Sequence, residues 1–147
     1  MKLSKNFELK EFTHSDIADY LGIKIIATPE QVKCLIDLCE NILQPCREFI
    51  GEININSGIR NETLNKAIGG AKSSQHLKGQ AADIRCNEIV KLFHFIREKL
   101  TFDQLIWEMG NTDKPNWIHV SYNDKNNRKE VLRALKDNGE TVYLKYM

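Results

Sequence analysis

The stretch SSQHLKGQAADI, residues Ser73–Ile84, places a histidine seven positions before an aspartate. A neutral imidazole nitrogen and a carboxylate oxygen are both donors that Zn²⁺ accepts, so His76 and Asp83 are candidate metal ligands. Gly79 lies between them. Because glycine adopts backbone conformations that other residues avoid, it allows the chain to turn back so that both side chains face one ion. The apolar residues that flank Asp83 predict a strand.

A third candidate ligand lies downstream, in Trp117–Tyr122, where the side chains alternate in character. This alternation predicts a strand with His119 on one face and Ile118 and Val120 on the other. A three-ligand zinc site needs one more donor than the first stretch supplies. We therefore take His119 as the third candidate ligand.

The composition describes one globular domain. The chain has 147 residues, of which 41% are hydrophobic and 28% charged, which is enough to bury a single core. A net charge of +1 gives no excess of positive charge for binding nucleic acid. No apolar run reaches the roughly 18 residues of a membrane span, and residues 1–6 lack the apolar core of a secretory signal. We expect a single-domain monomer, residues 1–147, that is made in the cytoplasm, binds no nucleic acid and does not insert into membranes.

Helix signals are clear in two places. Thr28–Gln31 has the features of a helix start with a capping box, and a long helix with a buried apolar face through Phe49 is predicted to follow and to end near Gly51. Pro45 is expected to kink or divide this helix. A second amphipathic helix is predicted after Asn87, which we take as its cap.

Strand signals complete an α+β fold. We expect the two helices to back a small, mainly antiparallel sheet. Asp137-Asn138-Gly139 gives the strongest hairpin signal in the chain and predicts a C-terminal hairpin over residues 129–146. The sheet strands are predicted near Ile53, Ala81, Leu105 and His119.

The four cysteines do not indicate a disulfide framework. Cys34, Cys39 and Cys46 fall in one predicted helix at spacings that do not permit a bond between them. Cys86 is the only partner left for any of them. Free cysteines are the expected state.

Two further charged residues draw attention by their positions. Arg60 lies at a predicted strand-to-helix turn, and Glu108 ends an otherwise apolar strand. On these positions alone, a salt bridge or a backbone cap explains Arg60, and an exposed strand end explains Glu108. A catalytic interpretation of either residue needs more than its position.

Taken together, these segments resemble the zinc D-alanyl-D-alanine carboxypeptidase and murein endopeptidase family. The family pattern is S-G-Y-R, then S-x-H-x-x-G-x-A-x-D, then W-x-H, and the matching segments here begin at Ser57, Ser74 and Trp117. Their combination and order are more specific than any one segment. The chain also resembles the zinc-bearing signalling domain of hedgehog proteins, which shares the fold and has a D-x-x-x-x-E strand like Asp103–Glu108.

The resemblance implies an activity and a set of site residues. The implied activity is zinc-dependent hydrolysis of a peptide bond in peptidoglycan stem peptides or cross-links. One zinc ion would be held by His76, Asp83 and His119. Arg60 would be the cation that faces the substrate, and Ser74 a substrate contact.

Two departures from the family pattern matter for this expectation. Many relatives carry a catalytic carboxylate three residues before the last histidine, where this chain has Asn116, and Ile59 replaces the usual tyrosine. An amide does not accept a proton as a carboxylate does, so the general base must lie elsewhere. Glu108 is our first choice and Asp113 the second. The alternative is a catalytically inactive, zinc-bearing module that binds cell-wall peptides.

The sequence does not distinguish among the peptidoglycan bonds that such a scaffold cleaves, because loop variation sets that specificity. D-Ala-D-Ala, D-Ala-diamino acid and L-Ala-D-Glu bonds all stay open. The missing secretory signal favours a phage or prophage lysis enzyme, an endolysin, that reaches the cell wall after release by other means. A secreted effector would have the same features.

Overall fold

The computed structural model describes residues 1–147 and is built around one six-stranded sheet. The strand order is β1-β2-β4-β3-β5-β6, and every neighbouring pair is antiparallel except β3 and β5, which are parallel. The predicted α+β fold with a mainly antiparallel sheet is therefore confirmed. The strands are β1 Asn54–Ser57, β2 Ala81–Arg85, β3 Gln104–Glu108, β4 Trp117–Ser121, β5 Glu130–Asp137 and β6 Glu140–Lys145.

Six α-helices and two shorter helical segments surround the sheet. None of the helices is long and apolar enough to cross a bilayer. The α-helices are α1 Lys10–Thr13, α2 Asp16–Leu21, α3 Pro29–Leu38, α4 Gln44–Ile50, α5 Glu62–Ala67 and α6 Ile89–Lys99, with a π-helical segment at Cys39–Leu43 and a 3₁₀ turn at Gln75–Lys78.

The long helix begins as its sequence predicts. The Gln31 amide donates to Thr28 Oγ1 at 3.2 Å, and the Thr28 amide donates to Gln31 Oε1 at 2.9 Å, so both bonds of the capping box form. The helix is divided by its π-helical segment, which ends directly before Gln44 and Pro45. Proline has no backbone N–H to continue the regular pattern, so a change in helical hydrogen bonding at this point has a clear cause.

Two details of the helix predictions are wrong. Phe49 is 44% exposed, because the last turn of α4 holds it outside the buried core, where its ring stacks on the partly buried Phe95 of α6 with ring centroids 4.1 Å apart. Asn87 does not cap α6. The helix begins only at Ile89, so the capping position falls on Glu88, which makes no capping hydrogen bond through its side chain.

The C-terminal hairpin is part of the main sheet. Asn138 and Gly139 connect β5 to β6 with φ angles of 50° and 81°, the two positive values that a type I′ turn requires. β5 pairs with β3 in parallel, from Gln104 with Glu130 to Glu108 with Ala134. Hydrophobic alternation within the hairpin carries no information about this partner, so the sequence did not indicate that the sheet would have six strands.

The two faces of the sheet have different roles. Ile84, Val120 and Trp107 point toward the core formed with the helices and are buried there. Side chains alternate between faces along a strand, so their neighbours Asp83 and His119 point the opposite way. The sheet thus separates an apolar core from a polar face that carries the candidate ligands.

The N-terminal segment and the cysteines belong to the same core. Phe7 and Phe12 are almost completely buried within it. All four cysteines are free, which confirms the expectation from their spacing. Cys39 and Cys46 are buried, and burial raises the pKa of each thiol well above its usual value, so neither is a ready nucleophile.

Gly79 fixes the loop between His76 and Asp83 against the long helix. It has a φ of +74°, and a Cβ atom on it would lie 2.6 Å from the backbone oxygen of Gln31. In the same contact region, Gln31 Nε2 donates a hydrogen bond to the Leu77 oxygen at 2.9 Å. A side chain at position 79 is therefore opposed both by the backbone conformation and by lack of space.

We predict that Gly79→Ala lowers the free energy of unfolding more than Gly69→Ala does. Gly69 has the same φ of +74° but no atom within 4 Å of a Cβ position, so its substitution isolates the conformational strain of about 1–2 kcal/mol. Gly79→Ala adds an overpacking cost of about 1–3 kcal/mol. Urea unfolding of both variants measures the difference, and equal losses would show that the contact with Gln31 is not tight.

Candidate active site

Three candidate metal ligands meet on the polar face of the sheet. His76 lies in the 3₁₀ turn, Asp83 in β2, and His119 directly opposite Asp83 in β4. Asp83 Oδ1 lies 3.4 Å from His76 Nε2 and 3.2 Å from His119 Nδ1. The structure therefore brings together the three residues that the sequence singled out, and all three are buried.

The hydrogen bonding of His76 determines which nitrogen can bind a metal. His76 Nδ1 lies 2.8 Å from the backbone oxygen of Gly58. A carbonyl oxygen only accepts, so Nδ1 carries the hydrogen and Nε2 keeps a lone pair. His76 Nε2 is buried, faces Asp83 and has no hydrogen-bond partner, whereas His119 faces Asp83 with its Nδ1. An unpartnered buried nitrogen that points at a carboxylate is a typical feature of a metal ligand.

The spacing of these atoms fits zinc. With zinc–ligand bonds of about 2.0–2.1 Å, the ligand atoms of a tetrahedral site lie about 3.3–3.4 Å apart. The observed separations of 3.2 and 3.4 Å from Asp83 Oδ1 agree with that value. One ligand atom from each of the three residues lies within 4.8 Å of the others. Two imidazoles and one carboxylate are also the donor types of catalytic zinc sites.

Asp83 is the charge at the centre of this group. Burial alone would raise the pKa of its carboxyl, but the neighbouring His76 and His119 outweigh burial and hold that pKa well below its usual range. Asp83 is therefore a carboxylate, the form that binds a metal ion.

Arg60 reaches the group from the turn that follows β1. Its Nη2 lies 3.6 Å from Asp83 Oδ2, and its Nε donates to Ser57 Oγ at 3.4 Å. Burial lowers the pKa of Arg60, while Asp83, Glu108 and Tyr143 act in the opposite direction. The cation thus lies beside the metal ligands, and its side chain is held by contacts along its length.

Asn65 fixes the outer end of Arg60. Arg60 Nη1 donates to Asn65 Oδ1 at 3.2 Å, and Asn65 Nδ2 donates to the Ala71 oxygen at 2.9 Å. Gly70 packs so closely on Asn65 that a Cβ atom at position 70 would overlap its side-chain oxygen. The Asn65 and Gly69-Gly70-Ala71 part of the family-like pattern therefore has a physical role, which is to orient the arginine.

Glu108 lies on the same face as the metal ligands. His119 pairs with Ile106, and Glu108 follows two residues later on β3, so both side chains point to one side. Glu108 is only 7% exposed. Burial, and then the charge of Asp83, raises the pKa of Glu108 to about 7.

The remaining predicted site residues have different surroundings. Ser74 Oγ accepts a hydrogen bond from the His76 amide at 3.2 Å, so Ser74 caps the 3₁₀ turn that carries His76. Asp113 and Asn116 are exposed, in the loop between β3 and β4. Asp113 uses its backbone amide to bond Asn111 Oδ1 at 2.9 Å. Of the two candidate bases, Glu108 is the one buried on the face of the ligands.

A polar network that the sequence did not reveal supports the His76 turn. The carboxylate of Asp103 is 4% exposed and accepts bonds from Arg128 Nε at 2.8 Å and Nη2 at 3.0 Å. Gln75 Nε2, next to His76 in the chain, donates to the same carboxylate at 2.9 Å. These partners are far apart in sequence, so only the folded chain shows that they hold one turn.

Comparison with known proteins agrees with the geometry. The family model for peptidase M15 matches residues 5–121, which include all three candidate ligands together with Arg60 and Glu108. A zinc D-Ala-D-Ala carboxypeptidase of Streptomyces albus G is 33% identical over 79 residues, 50% of this chain. That alignment covers 30% of the relative. These matches confirm the resemblance seen in the sequence, and the chain belongs to the peptidase M15 family.

Proposed function

We propose that this protein is a zinc-dependent metallopeptidase that hydrolyses a peptide bond in peptidoglycan stem peptides or their cross-links. One observation carries the proposal. A buried His76, Asp83 and His119 group with zinc-like spacing shares its face of the sheet with the buried carboxylate of Glu108 and is flanked by Arg60. This arrangement contains the groups that peptide hydrolysis requires, which are metal ligands, a general base and a cation.

The three ligands would hold one zinc ion and leave its fourth position open. Zinc held by these residues would supply an acidified water, with a pKa lowered to about 7. The hydrogen bond from His76 Nδ1 to Gly58 keeps that ring in the tautomer and orientation needed for binding. The carboxylate state of Asp83 supplies a negative charge that balances part of the metal charge.

Glu108 would act as the general base and then as the general acid. Its carboxylate accepts the proton of the attacking water and passes it to the departing amine. Burial raises the pKa of Glu108 above that of an exposed glutamate, which suits a group that must both accept and return a proton near neutral pH. A dication nearby favours the carboxylate form, so metal binding keeps Glu108 ready to accept.

Arg60 and Ser74 would contact the substrate. Arg60 has a fixed fork of donors that suits the developing negative charge on the carbonyl oxygen or a carboxylate of the peptide. Its contacts with Ser57 and Asn65 hold that fork in place before substrate binds. Ser74 uses its oxygen to accept the His76 amide, which leaves its hydroxyl hydrogen available to a ligand.

The similarity to a protein named as a zinc D-Ala-D-Ala carboxypeptidase supports the choice of peptidoglycan peptides as substrate. Both carboxypeptidase and endopeptidase activities fit the proposed site. We further propose that the protein is a lysis enzyme of endolysin type that acts on the cell wall after release, as a monomer.

A zinc-bearing module that binds cell-wall peptides without cleaving them is the second candidate. Asn116 favours it, because this amide stands where many relatives have a catalytic carboxylate. The two candidates differ in one property, which is whether a carboxylate of the chain reaches the attacking water. Glu108 therefore decides between them.

We predict that the purified protein binds about one equivalent of zinc and that His76→Ala, Asp83→Ala and His119→Ala each lose most of it. Two remaining ligands seldom hold zinc well. His94→Ala is the matched control, because His94 is a half-buried histidine of α6 outside the ligand group. Metal analysis after gel filtration measures the content. Full zinc in the three ligand variants would exclude this site.

We predict that Glu108→Gln keeps zinc and peptide binding but lowers hydrolysis of purified muropeptides by ~10²-fold or more, the usual scale for a lost general base. Asp113→Asn should remain near wild type, because Asp113 is exposed in a loop. Chromatography of the products gives both rates. An active Glu108→Gln with an inactive Asp113→Asn would assign the base to Asp113, and a wild type that binds without cleaving would support the binding module.

A further inference from the structure

The C-terminal hairpin brings a tyrosine to the site face. Glu108 pairs with Ala134 in β5, and Ala134 pairs with Tyr143 in β6. Directly paired residues point to the same face of a sheet, so Tyr143 and Glu108 lie on one side. Two strand spacings separate their backbones, about 10 Å.

Ala134 leaves the space between these two residues open. It is the residue between Glu108 and Tyr143 in this cross-strand row, and it is completely buried with only a methyl group for a side chain. A larger residue at this place would separate the tyrosine from the site. With alanine there, the long side chain of Tyr143 can extend over β5 toward Glu108.

Charged groups of the candidate site act on the Tyr143 hydroxyl. Burial, and then the charges of Glu108 and Asp83, raise the pKa of Tyr143, while Arg60 lowers it. The influence is mutual, because Tyr143 also acts on Arg60. None of the influences on Tyr143 is a hydrogen bond, so its O–H is free to donate to a ligand.

Arg60 and Tyr143 approach the ligand group from opposite edges of the sheet. Arg60 follows β1, the first strand in the sheet order, and Tyr143 lies in β6, the last. Tyr143 is 54% exposed, so one side of its ring is open to a bound molecule. A peptide laid across the site between these edges would meet the guanidinium on one side and the phenol on the other.

We propose that Tyr143 is a substrate-contacting residue of this peptidase, whose hydroxyl donates a hydrogen bond to a carbonyl or carboxylate oxygen of the bound peptide on the side opposite Arg60. This inference rests on the proposed function and extends the site beyond residues 5–121, where the family model matches. It also gives the hairpin a functional role, which is to bring Tyr143 to the substrate.

The test compares Tyr143→Phe, which removes only the hydroxyl, with the wild type. We expect zinc content and melting temperature to stay unchanged while kcat/KM for muropeptides falls about 3- to 10-fold, the effect of one lost hydrogen bond. Tyr143→Ala should fall further, because the ring is also lost. Leu144→Ala is the matched control. Leu144 is the next residue of β6, is similarly exposed at 50% and points to the opposite face, so its variant should keep wild-type kcat/KM.

The outcomes separate this inference from the proposed activity. Unchanged kcat/KM in Tyr143→Phe with an active wild type would overturn the role of Tyr143 and leave the peptidase intact. If the zinc-loaded wild type binds muropeptides in calorimetry without cleaving them, the proposed activity fails. The role of Tyr143 is then supported by weaker binding to Tyr143→Phe and overturned by equal binding. A wild type that neither binds nor cleaves these peptides overturns both.

Discussion

The buried carboxylate of Asp83 is the constraint on which the site depends. A buried charge without partners costs on the order of several kcal/mol, so the chain must bring partners to it. His76, His119 and Arg60 do so from three different elements, which are the 3₁₀ turn, β4 and the turn after β1. The same convergence that satisfies the carboxylate assembles the three candidate metal ligands. The stability of the fold and the proposed metal binding therefore both require these side chains to lie around Asp83.

Contacts outside the ligand group keep this convergence in place. Gly58 accepts the hydrogen bond of His76 and packs against Phe12, where a Cβ atom would lie 2.6 Å from the Phe12 backbone. Asn65 orients Arg60. Asp103 accepts a hydrogen bond from Gln75, the residue before His76, and so holds the turn that carries this histidine. A site that is held in its reactive geometry before substrate binds avoids the cost of ordering it during the reaction.

Much of this arrangement could be predicted from local patterns. The capping box at Thr28, the alternation around His119 and the positive-φ turn at Asn138-Gly139 each depend on neighbouring residues, so the sequence carries them directly. The His76, Asp83 and His119 group was also predictable, since the ligand types and the order of the three segments match the family pattern. The parallel pairing of β5 with β3 was not, because side-chain alternation specifies a strand and not its partner. The hydrogen bonds that Arg128 donates to Asp103 and the approach of Tyr143 to the site follow from that pairing and were missed with it.

The role of Glu108 could be judged only when its position in the sequence was combined with its burial in the folded protein. Its position at the end of a strand did not distinguish a catalytic carboxylate from an exposed strand terminus. The structure shows that Glu108 is 7% exposed and lies on the face of the metal ligands. Burial raises its pKa to about 7, whereas Asp113 and Asn116 are exposed in the following loop. The three-dimensional arrangement therefore supports Glu108, and not Asp113, as the proposed general base.

Digestion of purified cell-wall sacculi with the wild-type protein tests the proposed zinc-dependent peptidase activity most directly. The released fragments are identified by mass spectrometry. We expect fragments that end at a cleaved peptide bond, no fragments after the metal is removed by a chelator, and recovery when zinc is added back. Intact sacculi after incubation with the zinc-loaded protein, or the same fragments with and without metal, would contradict this expectation.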